Sequence, residues 1–600
     1  MNTIGISGLH HSVDFKKREF PNLSSRSYRI AQGFDSAAAL VAGGEIVAAA
    51  AEERFSGQKA TGAFPAQAIR YCLEAGRLRP EQVDHIAHGF SYEPFKEFFN
   101  EDDYRRRQYA EVYAPDAQKA LLEQHFPGTG WGAKFVPVPH HLAHAASAFY
   151  PSGFDEALIL VSDGMGEIHS LTVAVGKGAD IRVLQQIPAL HSLGTLYGVF
   201  TLYLGFYMGL DEYKVMGLAP YGNPRRYYHR LLEFIKFKND GTYAIPVFAR
   251  DQTLADRENH TGVLRFLEEQ FGPARKPDSE ITAEHQDLAA ALQAALQTCQ
   301  MHVLRHFKRQ TGLVNLCLAG GVALNCSANG VIKRSRLFRQ MFVQPAAGDD
   351  GTALGAALYV QHQRDPACNP HRMTVPLWGP EFDDEQIAQA IAARADCHAV
   401  KHDSFERLSQ DIAARVGRGE IVAWFQGRME FGPRALGSRS ILADPRDHAM
   451  RERINRLVKK REAFRPFAPV VTREAAARIF DLPAGEEDTF AHMLYVMSVR
   501  PGFREQLPAI THVDGSARAQ TVAREHNPRL WQLLVEFEKV SGLPVLLNTS
   551  FNVKGQPIVC TPKEALETFL FAGLDVLVMG DYVVTARGAN KDAPPPTTLG

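Results

Sequence analysis

The stretch that most constrains this chain is residues 137–167, PVPHHLAHAASAFYPSGFDEALILVSDGMGE. His140 and His144 are four residues apart among small helix-forming residues, so their side chains share one face of a predicted helix. After a turn, residues 157–161 are a short apolar run that is typical of a buried strand. That strand leads to Asp163 in an Asp-Gly-Met-Gly loop, which is flexible enough to approach a phosphate or a metal.

Two imidazoles and a carboxylate near one strand end suit a divalent transition metal, and iron, manganese and zinc are all chemically suitable. The His-x-x-x-His spacing alone is a weak signal. Histidines at this spacing are more often surface residues or hydrogen-bonded residues of a core. The second half of the chain makes the metal site the better interpretation.

Further strands run into glycine loops downstream. A predicted buried strand at 315–319 leads directly into GGVALN (320–325), and a strand at 341–344 leads to GDDGT (348–352) and a helix of small residues. This recurrence is typical of a two-lobed fold that binds a nucleotide between its halves. A chain of single-domain α/β units shares the pattern, so the pattern alone leaves both open.

Composition limits the class of protein. With 45% hydrophobic and 22% charged residues, the chain is ordinary for a globular protein, and 600 residues suggest two to four domains. The net charge of −1 argues against a dedicated nucleic-acid surface, and seven scattered cysteines without a Cys-x-x-Cys pair suit a reducing compartment. Neither a membrane span nor a signal peptide is evident. We therefore expect a cytoplasmic enzyme without a nucleic-acid or membrane partner.

The C-terminal half holds basic residues beside glycine, proline and aromatic residues. It follows a predicted linker at 366–376, and its densest motifs are GRMEFGPRALGSRS (427–440) and KKREAFRPFAP (459–469). Arginine on such a fixed backbone suits bidentate binding of phosphate or carboxylate. The alternative is structural ion pairs with acids such as Glu430 and Glu462. The polar residues concerned are Arg428, Arg434, Arg439, Lys459, Arg465, Arg518, Asn548 and Ser550.

Six motifs taken together resemble the carbamoyltransferases of antibiotic and nodulation-factor biosynthesis: HHLAHAASAFY, EYKVMGLAPYG, LAGGVALN, GPRALGSRS, REAFRPFAP and LNTSFN. The resemblance covers about residues 35 to 587. It implies an α/β fold with two domains. Residues 1–372 would form a Kae1-like domain of the actin/Hsp70/sugar-kinase class, a duplicated ribonuclease H-like fold, and residues 373–600 a YrdC-like α/β domain.

The resemblance also implies a two-step reaction. The YrdC-like domain would combine carbamoyl phosphate with ATP to give carbamoyladenylate, pyrophosphate and phosphate. The Kae1-like domain would pass the carbamoyl group to a hydroxyl of a small-molecule natural product and release AMP. Iron is the expected metal, and Mg²⁺ is expected with ATP. The acceptor, the choice between O- and N-carbamoylation, and the oligomeric state stay open.

Two other functions share part of the pattern. A tRNA threonylcarbamoyl-type transferase uses the same two domain types, but the near-neutral charge disfavours it. A non-catalytic actin-like nucleotide-binding protein would not need the C-terminal arginines. Hydrogenase-maturation proteins share some motifs, but they also carry cysteine zinc motifs and an acylphosphatase domain that this sequence lacks.

Individual roles follow from the same resemblance. The expected metal ligands are His140, His144, Asp163 and Asp349, and Asp349 is preferred to Asp350 because it begins the family's Asp-x-Gly motif. The expected carbamoyl phosphate ligands are Lys459, Arg465, Arg518, Asn548 and Ser550. The expected nucleotide-binding residues are Gly164, Gly166, Lys214, Gly320, Gly321, Val322, Asn325 and, for the ATP phosphates, Arg434. Lys59 matches a lysine near the acceptor channel.

The chain departs from the family at the expected general base. The family has His-Asp-(Ala/Ser)-Ala after the first strand, whereas this chain has Phe-Asp-Ser-Ala at 34–37 and about twenty extra residues before it. Our hypothesis is that His10 or His11 supplies the base, since a histidine pKa near neutrality suits that role. The alternative is that both are loop histidines without a role and that Asp35 or the metal-bound state suffices. The inserted segment, Ser12–Gln32, is expected to shape the acceptor pocket.

Overall fold

The computed structural model describes residues 1–366, 372–459, 461–462, 464–483 and 485–587. Five of the eleven residues of the predicted linker (366–376) and all of the last ten residues, for which we predict disorder, lie outside these ranges. The chain forms two compact units. Unit 1 comprises Met1–Ser56 and Ala60–Met373, and unit 2 comprises Gly57–Lys59 and the chain from Thr374 on.

Unit 1 contains two five-stranded sheets and a small hairpin. Its strands are β1 (Asn2–Ile6), β2 (Ala37–Ala42), β3 (Glu45–Ala51), β4 (His85–His88), β5 (Phe135–Pro137), β6 (Glu156–Gly166), β7 (His169–Lys177), β8 (Asp180–Pro188), β9 (Lys236–Phe237), β10 (Tyr243–Ala244), β11 (Asn315–Ala319) and β12 (Gln340–Val343).

The α-helices of unit 1 include the inserted segment, which forms two short helices. They are α1 (Ser12–Glu19), α2 (Ser25–Tyr28), α3 (Glu53–Ser56), α4 (Ala66–Ala75), α5 (Asp103–Gln108), α6 (Pro115–His125), α7 (His140–Phe149), α8 (Leu193–Tyr203), α9 (Glu212–Leu218), α10 (Tyr228–Leu232), α11 (Leu254–Asn259), α12 (Thr261–Phe271), α13 (Ala283–Thr311), α14 (Cys326–Arg334) and α15 (Asp350–Arg364).

The two large sheets of unit 1 share one topology. The first has the order β3-β2-β1-β4-β5, and the second has the order β8-β7-β6-β11-β12. In each, three antiparallel strands are followed by two strands that pair in parallel. This is the ribonuclease H-like arrangement, present twice, so the predicted duplicated fold is confirmed.

Unit 2 is built on one mixed sheet of eight strands in the order β13-β22-β21-β14-β15-β20-β16-β19. Its strands are β13 (Cys397–Lys401), β14 (Val422–Phe425), β15 (Arg439–Ala443), β16 (Ala468–Thr472), β17 (Met497–Ser498), β18 (Ser516–Ala517), β19 (Gln520–Val522), β20 (Val545–Ser550), β21 (Val576–Met579) and β22 (Tyr582–Ala586). Its α-helices are α16 (Asp384–Ala392), α17 (Phe405–Gly417), α18 (Met450–Ile454), α19 (Arg473–Ile479), α20 (Pro501–Arg504), α21 (Pro528–Ser541) and α22 (Pro562–Ala572). The predicted α/β class is thus confirmed for this half as well.

Strand ends carry the polar residues of interest. In unit 1, β6 bulges between Ser162 and Gly166, so Asp163 leaves the regular ladder at the strand end. Residues 157–161 are fully or almost fully buried, as their apolar run predicts.

In the described part of the chain, no helix combines the length and the apolar character needed to cross a bilayer.

Candidate active site

Four predicted metal ligands meet in unit 1. One donor atom from each of His140, His144, Asp163 and Asp349 lies within 4.8 Å of the others. The two Nε2 atoms are 3.1 Å apart. From His140 Nε2, Asp163 Oδ2 is at 3.5 Å and Asp349 Oδ1 at 3.4 Å. Helix α7 presents both histidines, β6 ends near Asp163, and Asp349 immediately precedes α15.

This donor set fits a divalent transition metal. Ligand atoms about 2.1 Å from a common centre lie roughly 3.4 Å apart when the arrangement is tetrahedral. The distances from His140 Nε2 match that spacing. The Nδ1 of His140 is 2.8 Å from the carbonyl oxygen of Gly89, to which it donates, so in the neutral form of the ring the Nε2 that faces the cluster is the unprotonated nitrogen. The ring of Phe90 stacks on the same imidazole at 4.1 Å.

The charges within the cluster of four donors favour a cation there. Burial opposes ionisation of Asp163, but the hydrogen bond from His140 and the nearby imidazoles hold the pKa of Asp163 below its usual value. Burial alone would lower the pKa of His140. The negative charge of Asp349 outweighs burial, so the pKa of His140 lies well above its usual value. The cluster therefore stabilises a cation between its carboxylates and imidazoles.

A glycine loop adjoins the cluster. The N–H of Gly321 donates to Asp163 Oδ1 at 3.0 Å, while Oδ2 faces the histidines. Gly320 has φ +88°, and a Cβ there would lie 2.3 Å from the carbonyl oxygen of Ser162. A side chain at Gly166 would lie 2.6 Å from the ring of His140. Close approach of neighbouring atoms thus requires glycine at Gly166 and Gly320, whether or not the loop binds a ligand.

The other expected nucleotide-binding residues of unit 1 have varied surroundings. Asn325 caps α14 and exchanges hydrogen bonds with Gln293. Val322 is buried in the turn that precedes it. Lys214 pairs with Asp211 at 3.0 Å, and Gly164 has open space around it. The structure thus places Val322 and Asn325 with the glycine loop and shows Lys214 in an ion pair.

The candidate bases lie in different surroundings. His10 Nδ1 accepts the N–H of Phe64 at 3.1 Å, and burial followed by the charge of neighbouring His11 lowers the pKa of His10. Asp35 instead has the left-handed φ of +58°. Burial, and then the charges of nearby carboxylates that include Asp350 and Asp349, raise its pKa well above the usual value. The charges that act on Asp35 thus include that of the predicted ligand Asp349, whereas those that act on His10 come from His11, His125 and Asp14.

The inserted segment also approaches the cluster. Gln32 Nε2 donates to the carbonyl oxygen of Met165 at 2.8 Å, and its Oε1 accepts from the hydroxyl of Tyr92. Met165 belongs to the loop that follows Asp163. Arg29 stacks on Phe34 at 4.0 Å. Residues of the insertion therefore lie beside the loop that carries a predicted ligand.

Unit 2 contains a cluster of cations around Lys459. Lys459 ends a short π-helical turn, and its Nζ donates to oxygens of Ser550 and Asn552 at 2.6–3.1 Å. Burial, and then the charges of Arg461, Arg465 and Lys59, lower its pKa well below the usual value. Lys59 belongs to unit 2 although it lies early in the chain. Glu462, 3.7 Å from Arg465, offsets part of the positive charge.

Asn548 and Ser550 lie on β20, and their side chains hold protein groups. Asn548 Nδ2 donates to Gln520 at 2.8 Å and to the carbonyl oxygen of Ala435 at 3.3 Å. Its Oδ1 is buried and has no hydrogen-bond partner among the described residues. Ser550 Oγ donates to Asn552 Oδ1 at 2.7 Å. Asn548 Oδ1 is thus a buried acceptor on this strand that its protein neighbours leave for a ligand.

The loop with Arg434 is held by buried polar side chains. Glu430 Oε1 accepts the N–H groups of Leu436 and Ser438 at 2.8 and 2.6 Å, and that of Arg439 at 3.2 Å. Gln520 donates to the carbonyl oxygen of Leu436 at 2.7 Å. Arg434 lies within this loop, half-buried, and Arg518 is half-buried between β18 and β19.

Two of the arginines singled out from the sequence have structural roles. The Arg439 side chain is fully buried and donates to the carbonyl oxygens of Gln426, Gly427, Ser438 and Pro380. Arg428 donates to the carbonyl oxygen of Trp378 at 2.8 Å. Anion binding by Arg439 is therefore not supported. The expected partner Glu430 binds backbone N–H groups rather than an arginine, whereas Glu462 lies beside Arg465 as the ion-pair alternative predicts.

Two family profiles match this chain. The profile described as "Carbamoyltransferase N-terminus" matches residues 30–358, and "Carbamoyltransferase C-terminus" matches residues 413–586. The chain belongs to the carbamoyltransferase family. This confirms the family predicted from the motifs and establishes a transferase. Residues 12–29 of the insertion precede the matched region.

Curated relatives of this carbamoyltransferase include nodulation proteins. Nodulation protein NolNO of Sinorhizobium fredii is 40% identical over 600 residues, which cover 99% of this chain and 84% of the relative. Nodulation protein NolO of Bradyrhizobium diazoefficiens is 43% identical over 455 residues, covering 75% and 79%.

Solved structures show weaker similarity. T. kodakarensis HypF has a TM-score of 0.31 at 16% identity, covering 60% of this carbamoyltransferase and 48% of HypF. The component A of Acidaminococcus fermentans (R)-2-hydroxyglutaryl-CoA dehydratase has a TM-score of 0.28 at 15% identity, covering 60% and 97%. Both scores are too low to support an inference.

Several residues around these clusters were not singled out from the sequence as site residues. They are Gln32, Gly89, Phe90, Glu167, Arg461, Gln520 and Asn552. Asn552 ends the LNTSFN motif and Arg461 lies within KKREAFRPFAP, so the motifs themselves were the available signal. Glu167 directly follows the Asp-Gly-Met-Gly loop. Gly89, Phe90 and Gln520 have no local pattern, because long-range packing alone brings them to their clusters.

Proposed function

We propose that this carbamoyltransferase is ATP-dependent and transfers the carbamoyl group of carbamoyl phosphate, through carbamoyladenylate, to a hydroxyl of a small molecule. In the first step, water and carbamoyl phosphate give carbamate and phosphate, and a carbamate oxygen displaces pyrophosphate from the α-phosphorus of ATP. In the second, the acceptor oxygen attacks the carbamoyl carbon, the bond from that carbon to the phosphate oxygen of AMP breaks, and the hydroxyl proton passes to water. We assign the first step to unit 2 and the second to unit 1.

The cation cluster of unit 2 is the observation that carries this proposal. The Lys459 ammonium is buried, its hydrogen-bond acceptors are neutral oxygens, and Arg461, Arg465 and Lys59 add further positive charge. Burying a positive charge is costly unless an opposite charge compensates it. An anion such as carbamoyl phosphate supplies that charge, and the cluster in turn neutralises the phosphate before ATP approaches.

Lys459, Arg465, Arg518, Asn548 and Ser550 are proposed to surround carbamoyl phosphate. Asn548 Oδ1, buried and without a partner among the described residues, suits the carbamoyl NH₂ group, because an amide oxygen can accept but not donate a hydrogen bond. Arg434 is proposed to bind the ATP phosphates from the loop that Glu430 fixes.

In unit 1, His140, His144, Asp163 and Asp349 would hold the metal, proposed to be iron. When bound, such an ion supplies Lewis acidity toward the carbamoyl group or the adenylate phosphate. The loop at Gly320 and Gly321 is proposed to accept the adenosine part, together with Val322 and Asn325. Asp35 is proposed to orient the acceptor hydroxyl by accepting its hydrogen bond.

The test is pyrophosphate release that depends on both ATP and carbamoyl phosphate. Arg465→Ala is expected to cost about 2–5 kcal/mol in this step, as when one partner of a buried charge pair is removed. Arg456→Ala, at an exposed position of the turn that ends in Lys459, is the matched control and should release pyrophosphate normally. Undiminished release from the Arg465 variant refutes the role of Arg465, and no carbamoyl-phosphate-dependent release from the wild type refutes the reaction.

A further inference from the structure

The backbone of His140 is held as firmly as its ring. Its N–H donates to Glu167 Oε1 at 2.8 Å, and the N–H of Ser91 donates to the same oxygen at 2.8 Å. The carbonyl oxygen of Gly89 and the ring of Phe90 hold the imidazole itself. Residues 89–91 and Glu167 thus form a continuous clamp around His140.

Glu167 takes the place of a helix cap. Helix α7 begins at His140, and its N-cap residue is Pro139, which offers no side-chain acceptor to the first N–H groups. These groups are normally satisfied by Ser, Thr, Asp or Asn at the N-cap. Glu167, from the loop after β6, supplies both the acceptor and a negative charge at the positive end of the helix dipole.

The conformation of Glu167 is unusual for a residue with a side chain. Its φ is +37°, which non-glycine residues rarely adopt, and the residue is only 7% exposed. Strained backbone of this kind persists only where its surroundings hold it, and it concentrates at functional sites. The two hydrogen bonds to one carboxylate oxygen provide such a constraint.

We propose that Glu167 is a positioning residue for metal binding, which closes the clamp that fixes the first histidine of α7. Glu167 is not among the four clustered donors, so its effect is exerted through His140. The inference rests on the metal site of the proposed function. Partners that orient a metal ligand typically contribute about 10- to 100-fold in metal affinity.

The test is Co²⁺ binding to the metal-depleted full chain, followed through the visible absorption of the bound ion. Glu167→Ala should bind Co²⁺ about 10- to 100-fold more weakly and with an altered spectrum, because the first turn of α7 loses its acceptor. Glu167→Gln keeps the acceptor oxygen and should stay within about threefold of wild type. Glu156→Ala, an exposed glutamate at the other end of β6, is the control and should match wild type.

Glu167→Asp provides a second comparison where the alanine variant does not fold. It keeps the charge, but its carboxylate is one methylene short of the two N–H groups, so weakened binding is again expected. Wild-type affinity in the alanine or aspartate variant overturns the role of Glu167 and leaves the metal site intact. Equal weakening in the glutamine and alanine variants overturns the clamp, because the negative charge of Glu167, and not the two hydrogen bonds that it accepts, would then be responsible. No saturable Co²⁺ binding by wild type overturns the metal site and this role together.

Discussion

Asp349 and Asp350 are adjacent in sequence, but their carboxylates have different partners. Asp349 Oδ1 lies 3.4 Å from His140 Nε2 and 3.7 Å from His144 Nε2. Asp350 Oδ1 instead accepts the N–H of Gly351 at 2.9 Å in the first turn of α15. Of the two, only Asp349 belongs to the cluster of donors found among the described residues.

Asp349→Asn should therefore reduce bound metal, since a neutral amide replaces a charged ligand oxygen in a site where two carboxylates balance the ion. Asp350→Asn is the matched control and should retain the wild-type metal content. The measurement is metal per chain by elemental analysis of the purified proteins. Unchanged metal in the Asp349→Asn variant would remove Asp349 from the ligand set, and equal loss in both variants would show that the first turn of α15 matters rather than one carboxylate.

At this scale the sequence predicted the clustered residues but not how they are held. The spacing of His140 and His144 placed both on one helix face, which the structure shows. The sequence could not show that Gly89 orients His140 or that Asn548 binds the loop near Arg434. Those contacts join segments that are far apart along the chain, so no local pattern records them.

The loop from Gly432 to Ser438 has no regular secondary structure, and buried side chains bind its backbone instead. Backbone N–H groups of the loop donate to Glu430, and its carbonyl oxygens accept from Gln520 and Asn548. These buried side chains supply the hydrogen bonds that a neighbouring strand would supply in a sheet. The sequence predicted a fixed backbone here from its glycine and proline residues. Glu430 lies among arginines in the sequence and is interpreted there as an ion-pair partner. That pattern does not indicate that its carboxylate binds backbone N–H groups instead.

Glu430→Ala should loosen this loop. A hydrogen bond to a charged acceptor contributes about 1.5–3 kcal/mol, so amide hydrogen exchange at residues 436–439 should accelerate about 10- to 100-fold. Glu430→Gln keeps the accepting oxygen and should show a smaller increase. Peptide-resolved mass spectrometry measures both. Exchange at wild-type rates in the alanine variant would mean that other contacts hold the loop.

On the scale of the whole molecule, the two units carry clusters of opposite chemistry. Unit 1 gathers two imidazoles and two carboxylates at strand and helix ends of a duplicated fold, which suits a cation. Unit 2 gathers lysine and arginine around the buried Lys459 at the half-buried end of β20, which suits an anion. The order of motifs along the chain predicted this separation, because the histidine motif and the arginine motifs lie in different halves.

Metal removal should separate the two steps. Treatment with phenanthroline in the presence of excess Mg²⁺ takes transition metal from the His140 cluster while ATP keeps its magnesium. Transfer to an acceptor should then be lost. Pyrophosphate release driven by carbamoyl phosphate should continue, because the lysine and arginine side chains of unit 2 bind anions without a transition metal. The double variant His140→Ala/His144→Ala should behave in the same way without a chelator. Simultaneous loss of both activities in that variant, with unit 2 still folded, would contradict the proposed division of labour.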